Sequence, residues 1–225
     1  MDKVTLEYMN ILEEEFTLNN YNEIKTEEQS FKILKGNVPI LISCPHSIDQ
    51  VRAGMLKPRE IYSGALCKLI QENTNCYAVY KYHNDGIDDN FVLHTKYKES
   101  IGKIVEENDI KLVLDIHGMV GSRSKRFRGY YVELGTDSGR NTLGKPYIAE
   151  QMLRIFNKHG IGKVVIDKKF KASKSHTIAK YTSTNYRVPA VQVEISGDFR
   201  NVLNYGVENL NKLLLAFEEI ISAFC

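Results

Sequence analysis

Three residues that can bind a metal ion or move a proton stand at or near the ends of apolar stretches. They are His46, His117 and Glu194. Two imidazoles and a carboxylate that leave one coordination position open are a donor set of catalytic zinc, and a further glutamate suits a general base. The pattern therefore predicts a metal site with His46 and His117 as ligands and Glu194 close to them.

Two aspartates accompany the histidines. Asp49 follows His46 by three residues, a spacing that can place both side chains on one ion in a turn or first helical turn, although Asp49 could instead cap the next segment. Asp115 precedes His117 by two residues, so both point to one face of a strand. Asp115 then either joins the site or orients the imidazole of His117. The alternative for His117 is a hydrogen bond within a turn.

Glu194 and His176 are the candidates for proton transfer. Glu194 stands in an otherwise apolar segment, where an unpaired charge is costly, so a salt bridge to Arg187 or Arg200 is the structural alternative. His176 could donate a proton or a hydrogen bond to a developing oxyanion, and Arg128 is a second candidate for that role. The alternative for His176 is an exposed loop histidine.

The loop over residues 118–129 is basic and bounded by glycines. Its Arg123, Arg126 and Arg128 could recognise a substrate carboxylate through their guanidinium groups, and Arg140 has the same standing. A run this basic is more often a solvated loop, so at most one of these arginines is expected to bind substrate.

These side chains need a scaffold that brings them together at one edge of a β-sheet. Apolar runs at 38–45, 112–116 and 189–195 are typical of buried strands, and ligands of open α/β sheets bind at the carboxyl ends of such strands. Helical and strand patterns alternate almost throughout, which predicts a three-layer α/β/α sandwich with helices on both faces. A turn at Gly36 and Asn37 predicts that a strand over 30–35 forms a hairpin with the next strand, giving a mixed, mostly parallel sheet. The pattern also predicts an irregular segment over 170–185 and one closing helix over 202–224.

Size and composition set the class of protein. The 225 residues fit one domain, 1–225, with 43% hydrophobic and 26% charged residues, as in an ordinary globular protein. The net charge of +2 does not favour nucleic acid or a membrane surface as a partner, and no apolar run approaches the length of a membrane span. With no apolar signal segment and no framework spacing among the four cysteines, we expect a cytoplasmic protein with reduced thiols.

Three short motifs, in this order, resemble the N-formylglutamate amidohydrolase family. They are Ile42-Ser-Cys-Pro-His-Ser47, Leu114-Asp-Ile-His117 and Val191-Gln-Val-Glu-Ile195, and the stretch 130–136 resembles the strand that follows the second histidine in that family. Members of the family are similar to zinc carboxypeptidases and aspartoacylases in fold and site. The resemblance covers roughly residues 38–200.

The resemblance implies zinc held by His46 and His117, with Asp49 as the candidate that completes the set, and Glu194 as the base that activates water. The chain departs from the family pattern at two positions. Ile48 stands where the family commonly has glycine. In Asp88-Asp-Asn-Phe91, Asn90 is kept as a candidate substrate-binding residue, but Phe91 stands where the family has an arginine that holds a substrate carboxylate.

We therefore hypothesise a metal-dependent amidohydrolase with one Zn²⁺ per chain, although manganese or iron would suit the same ligands. The substrate would be a small N-acyl amino acid such as N-formylglutamate, or a related small peptide. One alternative is a zinc peptidase or deacylase that acts on a different substrate. The other is a non-catalytic binding protein that retains the fold.

Overall fold

The computed structural model describes residues 4–24 and 29–225, in which helices and strands alternate along the chain. The strands are β1 (Phe31–Leu34), β2 (Val38–Cys44), β3 (Gln50–Arg52), β4 (Met55–Lys57), β5 (Cys76–Lys81), β6 (Leu112–Met119), β7 (Val132–Gly135), β8 (Val164–Ile166) and β9 (Ala190–Ser196). The helices are α1 (Leu6–Thr17), α2 (Ser63–Thr74), α3 (Lys96–Glu107), α4 (Tyr147–Lys158), α5 (Ile178–Tyr186), α6 (Gly197–Arg200), α7 (Val202–Tyr205) and α8 (Glu208–Phe224).

Seven strands form one sheet in the order β1-β5-β2-β6-β9-β7-β8. The pairs β5–β2, β2–β6, β6–β9 and β7–β8 are parallel, whereas β1–β5 and β9–β7 are antiparallel. The strand β6 is therefore central, with β2 and β9 as its neighbours. The predicted three-layer α/β fold with a mixed, mostly parallel sheet is confirmed.

Helices cover both faces of the sheet, because apolar side chains alternate between the two faces of each central strand. On β2, Ile40 and Ile42 face a core formed with α1, α2, α4 and α8, whereas Leu41 faces a second core formed with α3 and α5. On β6, Val113 faces the second core, so Asp115 and His117 point to the same side as α3 and α5. Those two residues lie at the carboxyl end of the strand.

The predicted hairpin between the first two strands of the sheet is wrong. β1 pairs with β5, and β5 separates β1 from β2. The turn residues lie against the start of β5: the backbone N–H groups of Asn37 and Val38 both donate to the carbonyl of Asn75, and a Cβ at Gly36 would collide with that carbonyl. The turn thus holds the partner strand in place.

Two further expectations need correction. The closing segment 202–224 is two helices, because Gly206, with φ of 76°, separates α7 from α8. The segment 170–185 contains a helix, α5, from Ile178 onward. None of the described helices is both long and apolar enough to span a bilayer.

Candidate metal centre

His46 and His117 meet at the carboxyl edge of the sheet. His117 lies on β6, and His46 follows the end of β2, its parallel neighbour, by two residues. Both imidazoles are buried, with ring centroids 4.6 Å apart and Nδ1 atoms 2.9 Å apart. The two candidate ligands are thus brought together by the parallel pairing of their strands.

Each imidazole has a carboxylate at Nε2, on the side of the ring that faces away from the other histidine. Nε2 of His46 lies 2.9 Å from Oδ1 of Asp88. Nε2 of His117 lies 3.0 Å from Oδ2 of Asp115, whose other oxygen accepts a hydrogen bond from Ser43 at 3.0 Å. Because an ionised carboxylate can only accept, Nε2 carries the proton in the neutral form of each ring, and Nδ1 is then the nitrogen with a lone pair; at His46 that Nδ1 lies 2.7 Å from the ammonium of Lys57. This arrangement fixes the tautomer of a metal-binding histidine, and it supports the orienting role for Asp115.

Glu60 supplies the carboxylate nearest to the two Nδ1 atoms. Its Oε1 lies 2.9 Å from Nδ1 of His46, and its Oε2 lies 3.6 Å from Nδ1 of His117. The backbone N–H of Gly118 donates to Oε2 at 2.7 Å and helps to hold the carboxylate. One donor atom each from His46, Glu60 and His117 lies within 4.8 Å of the others, so this trio can hold a metal ion.

Asp49, the carboxylate expected to complete the ligand set, lies outside this cluster. Its Oδ1 accepts a hydrogen bond from the backbone N–H of Arg59 at 2.9 Å and lies 3.5 Å from the guanidinium of the same residue. The residues after His46 form a turn that leads into β3, so the three-residue spacing does not place both side chains on one helical face. The structure brings Glu60 to the histidines where the sequence suggested Asp49.

The electrostatics of the cluster favour a bound cation. Burial alone would raise the pKa of Glu60, but the charges of Lys57 and His46 outweigh it and hold the pKa well below its usual range. Burial opposes protonation of His117, but the carboxylates of Asp115 and Glu60 outweigh it and raise the pKa of the imidazole. Positive charge is therefore stabilised where the donor atoms converge, and two imidazoles with one carboxylate fit a divalent transition metal.

Glu194 lies beside the cluster on β9, directly opposite His117 in the parallel ladder. It is buried, and Nε2 of Gln192 donates to its Oε1 at 3.0 Å. Within the described residues it forms no ion pair with Arg187 or Arg200. Burial, reinforced by the charge of Glu60 and opposed by His117, raises the pKa of Glu194 to about 7, a value suited to a group that takes and returns a proton.

A cavity of about 430 Å³ opens over the cluster. Its lining includes His46, Glu60, His117 and Glu194. It also contains a set of basic side chains, namely Arg52, Lys57, Lys169, Lys171 and Lys174. A small molecule in this cavity would therefore contact the cluster and a positively charged wall together.

The remaining sequence-predicted residues divide into two groups. His176 and Asn90 line the cavity, and Oδ1 of Asn90 accepts a hydrogen bond from the first residue of α5 at 2.8 Å. Arg126, Arg128 and Arg140 do not line it. Arg140 pairs with Asp137 at 2.6 Å, which accounts for its side chain without a substrate.

Glu60 was missed from the sequence. It stands between the short hairpin β3–β4 and helix α2, fourteen residues after His46, and the strand before it, β4, is three residues long and not a buried apolar run. Its only local signal is Pro58, which predicts a helix start nearby. Asp88 was missed as an orienting residue for the same reason, since it belongs to the irregular segment between β5 and α3.

Comparison with known proteins identifies the fold. No protein-family model and no curated protein matches the chain. Among solved structures, an N-formylglutamate amidohydrolase from Ralstonia eutropha is similar with a TM-score of 0.64 at 14% identity, over 87% of this chain and 98% of that one. A gene product of Agrobacterium tumefaciens is similar with a TM-score of 0.62 at 14% identity, over 88% of this chain and 96% of that one. A metallo-carboxypeptidase from Burkholderia cenocepacia is similar with a TM-score of 0.50 at 10% identity, over 89% of this chain and 67% of that one. The resemblance inferred from the short motifs is thus confirmed in the fold.

Proposed function

We propose that the chain is a metal-dependent hydrolase that cleaves a linear amide bond. The observation that carries the proposal is the meeting of two Nδ1 lone pairs, the carboxylate of Glu60 and the buried Glu194 at one end of a cavity. The ligands would be His46, Glu60 and His117, and we favour one zinc ion per chain. A bound divalent metal supplies Lewis acidity, which lowers the pKa of water and polarises a carbonyl group.

The chain's own residues would carry the proton transfers. Glu194 takes a proton from the attacking water and passes it to the nitrogen of the leaving amine, a role that suits a buried carboxylate that lines the cavity beside the metal ligands. Asp88 and Asp115 hold the two imidazole rings in position while negative charge develops on the substrate. A negative charge that develops on the amide oxygen would meet Lys57, whose ammonium lies 3.1 Å from Glu60, and His176 in the cavity wall.

The substrate we favour is a small anionic N-acyl amino acid, with N-formylglutamate as the first compound to test, or a related small peptide. The solved N-formylglutamate amidohydrolase of similar fold supports the choice of an amide, and the lysines of the cavity wall support a carboxylate on the substrate. Phe91 lines the cavity where the family resemblance expects an arginine, so a carboxylate there would be bound by Lys169, Lys171 or Lys174. In keeping with the composition, we place this activity in the cytoplasm.

The test begins with the metal content of the purified protein, measured by mass spectrometry after zinc is offered and the excess removed. We expect about one zinc ion per chain, lost in a His46→Ala, His117→Ala double variant. A panel of N-formyl and N-acetyl amino acids and dipeptides then identifies the substrate, with Glu194→Gln as the inactive control. A wild-type protein that holds no more metal than the double variant would contradict the proposal and favour a binding protein.

A further inference from the structure

The positive charge of this chain is concentrated in two segments. Residues 118–131 and 163–177 together contain nine of the 30 lysines and arginines but only one of the 28 acidic residues, Asp167. The rest of the chain holds 21 basic and 27 acidic residues and is therefore net negative by six, although the chain as a whole carries +2. The nine basic residues, called the basic face below, are Arg123, Lys125, Arg126, Arg128, Lys163, Lys168, Lys169, Lys171 and Lys174.

The fold places the two segments side by side. The buried carboxylate of Glu133 accepts hydrogen bonds from the hydroxyl of Tyr130 at 2.6 Å and from the backbone N–H of Phe170 at 2.6 Å, and so ties one segment to the other. The guanidinium of Arg128 lies 5.2 Å from the ring centre of Phe170, and the ammonium of Lys168 lies 5.5 Å from that of Tyr130. Two basic runs that are distant in sequence thus form one surface.

The charges of this surface are not neutralised by the protein. All nine side chains are exposed, and within residues 4–24 and 29–225 none of them pairs with a carboxylate. Elsewhere on the surface, lysines do form such pairs, for example Lys158 with Glu219 and Lys212 with Glu208. Clustered charges of one sign repel one another and raise the local concentration of anions.

The basic face is continuous with the cavity over the metal centre. Lys169, Lys171 and Lys174 belong to both, and Arg128 stands over Phe170, which also lines the cavity. An extended ligand that enters the cavity at these lysines can therefore continue outward past Arg128 and Lys168 without leaving positively charged surface.

We propose that the basic face binds an acidic peptide, which narrows the proposed substrates from N-acyl amino acids and small peptides to peptides with several carboxylates along their length. The inference rests on the proposed function in that the bound peptide would present its amide bond to the metal centre. Carboxylates suit lysine and arginine donors of this kind. Single-stranded nucleic acid is a competing polyanion, but it has no backbone amide bond to present to the metal centre, and its binding is an outcome of the test below.

Binding of a labelled deca-glutamate tests the proposal in full-length protein carrying Glu194→Gln, so that no cleavage interferes. Fluorescence anisotropy would compare it with a neutral peptide of serine and glycine and with a ten-nucleotide oligothymidylate. We expect the acidic peptide to bind at least tenfold more tightly than either, with affinity that falls steeply as salt rises. A triple variant, Lys125→Glu, Arg128→Glu, Lys168→Glu, should lose at least tenfold in affinity.

The matched control is Lys35→Glu, Lys103→Glu, Arg154→Glu, which changes three exposed basic residues outside the basic face by the same charge. It should change the affinity by less than twofold. Equal loss in both triple variants, no preference for the acidic peptide, or binding of oligothymidylate as tight as that of the peptide would each overturn the inference. Because the readout is binding by an inactive variant, failure of the substrate panel to show hydrolysis is distinguishable from failure of this inference.

Discussion

His46 and His117 face each other through their Nδ1 atoms, 2.9 Å apart, while the Nε2 atom of each ring faces a carboxylate. Two lone pairs at this separation repel each other unless a cation or a shared proton lies between them. We therefore expect a metal ion at this site to be bound through Nδ1 of both histidines, as proposed above. The predictions below test this arrangement and the residues around it.

Glu60→Gln should reduce zinc affinity by more than about 100-fold, because it removes the carboxylate nearest to both Nδ1 atoms. Competition with a chromophoric chelator measures the affinity. Asp49→Asn is the matched control and should reduce the affinity by less than threefold, since Asp49 contacts Arg59 rather than the histidines. Equal losses in the two variants would restore Asp49 as the ligand.

Asp88→Asn and Asp115→Asn should each weaken zinc binding by about 10- to 100-fold without abolishing it. Each aspartate accepts a hydrogen bond from Nε2 of a different histidine, and an asparagine in its place can present an N–H group that disfavours the required tautomer. The same chelator titration measures the loss. Unchanged affinity in both variants would show that the imidazoles are oriented by packing alone.

Glu194→Gln should retain stoichiometric metal and lower kcat by about 10²- to 10⁴-fold, the usual contribution of a positioned acid or base. The substitution preserves the shape of a buried side chain and removes its ability to accept a proton. The control is Gln192→Ala, which removes the side chain that donates a hydrogen bond to Glu194 but leaves the base in place. It should lower kcat far less than Glu194→Gln does. Near-normal turnover in Glu194→Gln would exclude Glu194 as the base.

The parts of the site that could be predicted from sequence are those that end an apolar strand. His117 and Glu194 lie on β6 and β9, and His46 follows β2, so local hydrophobic pattern was enough to bring them to one edge. Glu60 and Asp88 arrive on irregular segments whose paths depend on contacts distant in sequence, such as the ion pair of Arg52 with Asp88 at 2.6 Å. No periodic pattern marks such positions.

The fold, like the site, could be predicted from the sequence only in part. Strand and helix content followed from periodicity, and with it the three layers. The partner of β1 did not, because whether β1 pairs with β2 or β5 depends on where β5, forty residues further on, is placed by helix α2. The break in the closing helix required knowledge of the backbone at Gly206, since glycine alone does not end a helix.

Gly118→Ala should destabilise the fold by about 1–3 kcal/mol, the usual cost of overpacking. A Cβ at Gly118 would collide with the guanidinium of the buried Arg200, which donates to the backbone carbonyls of Ile61, Met119 and Ile195. Urea unfolding measures the change. Gly162→Ala is the control, because a Cβ there meets no atom within 4 Å, and it should stay within about 0.5 kcal/mol of wild type. Equal effects at the two positions would contradict the packing argument.

Glu13 should make the protein less stable as pH rises from about 4.5 to 7. Burial raises the pKa of Glu13 to about 7, against a value of 4.5 for the free side chain, and one of its oxygens has no hydrogen-bond partner within the described residues. The folded state therefore binds the proton more tightly than the unfolded chain, and the stabilisation present below pH 4.5 is lost as pH passes through 7. The difference in the free energy of unfolding amounts to at most about 3 kcal/mol.

Glu13→Gln should remove this part of the pH dependence in urea unfolding between pH 4.5 and 8. Glu14→Gln, at an exposed position on the same helix, should leave the wild-type pH dependence unchanged. Parallel stability curves for wild type and Glu13→Gln would show that Glu13 is ionised throughout this range.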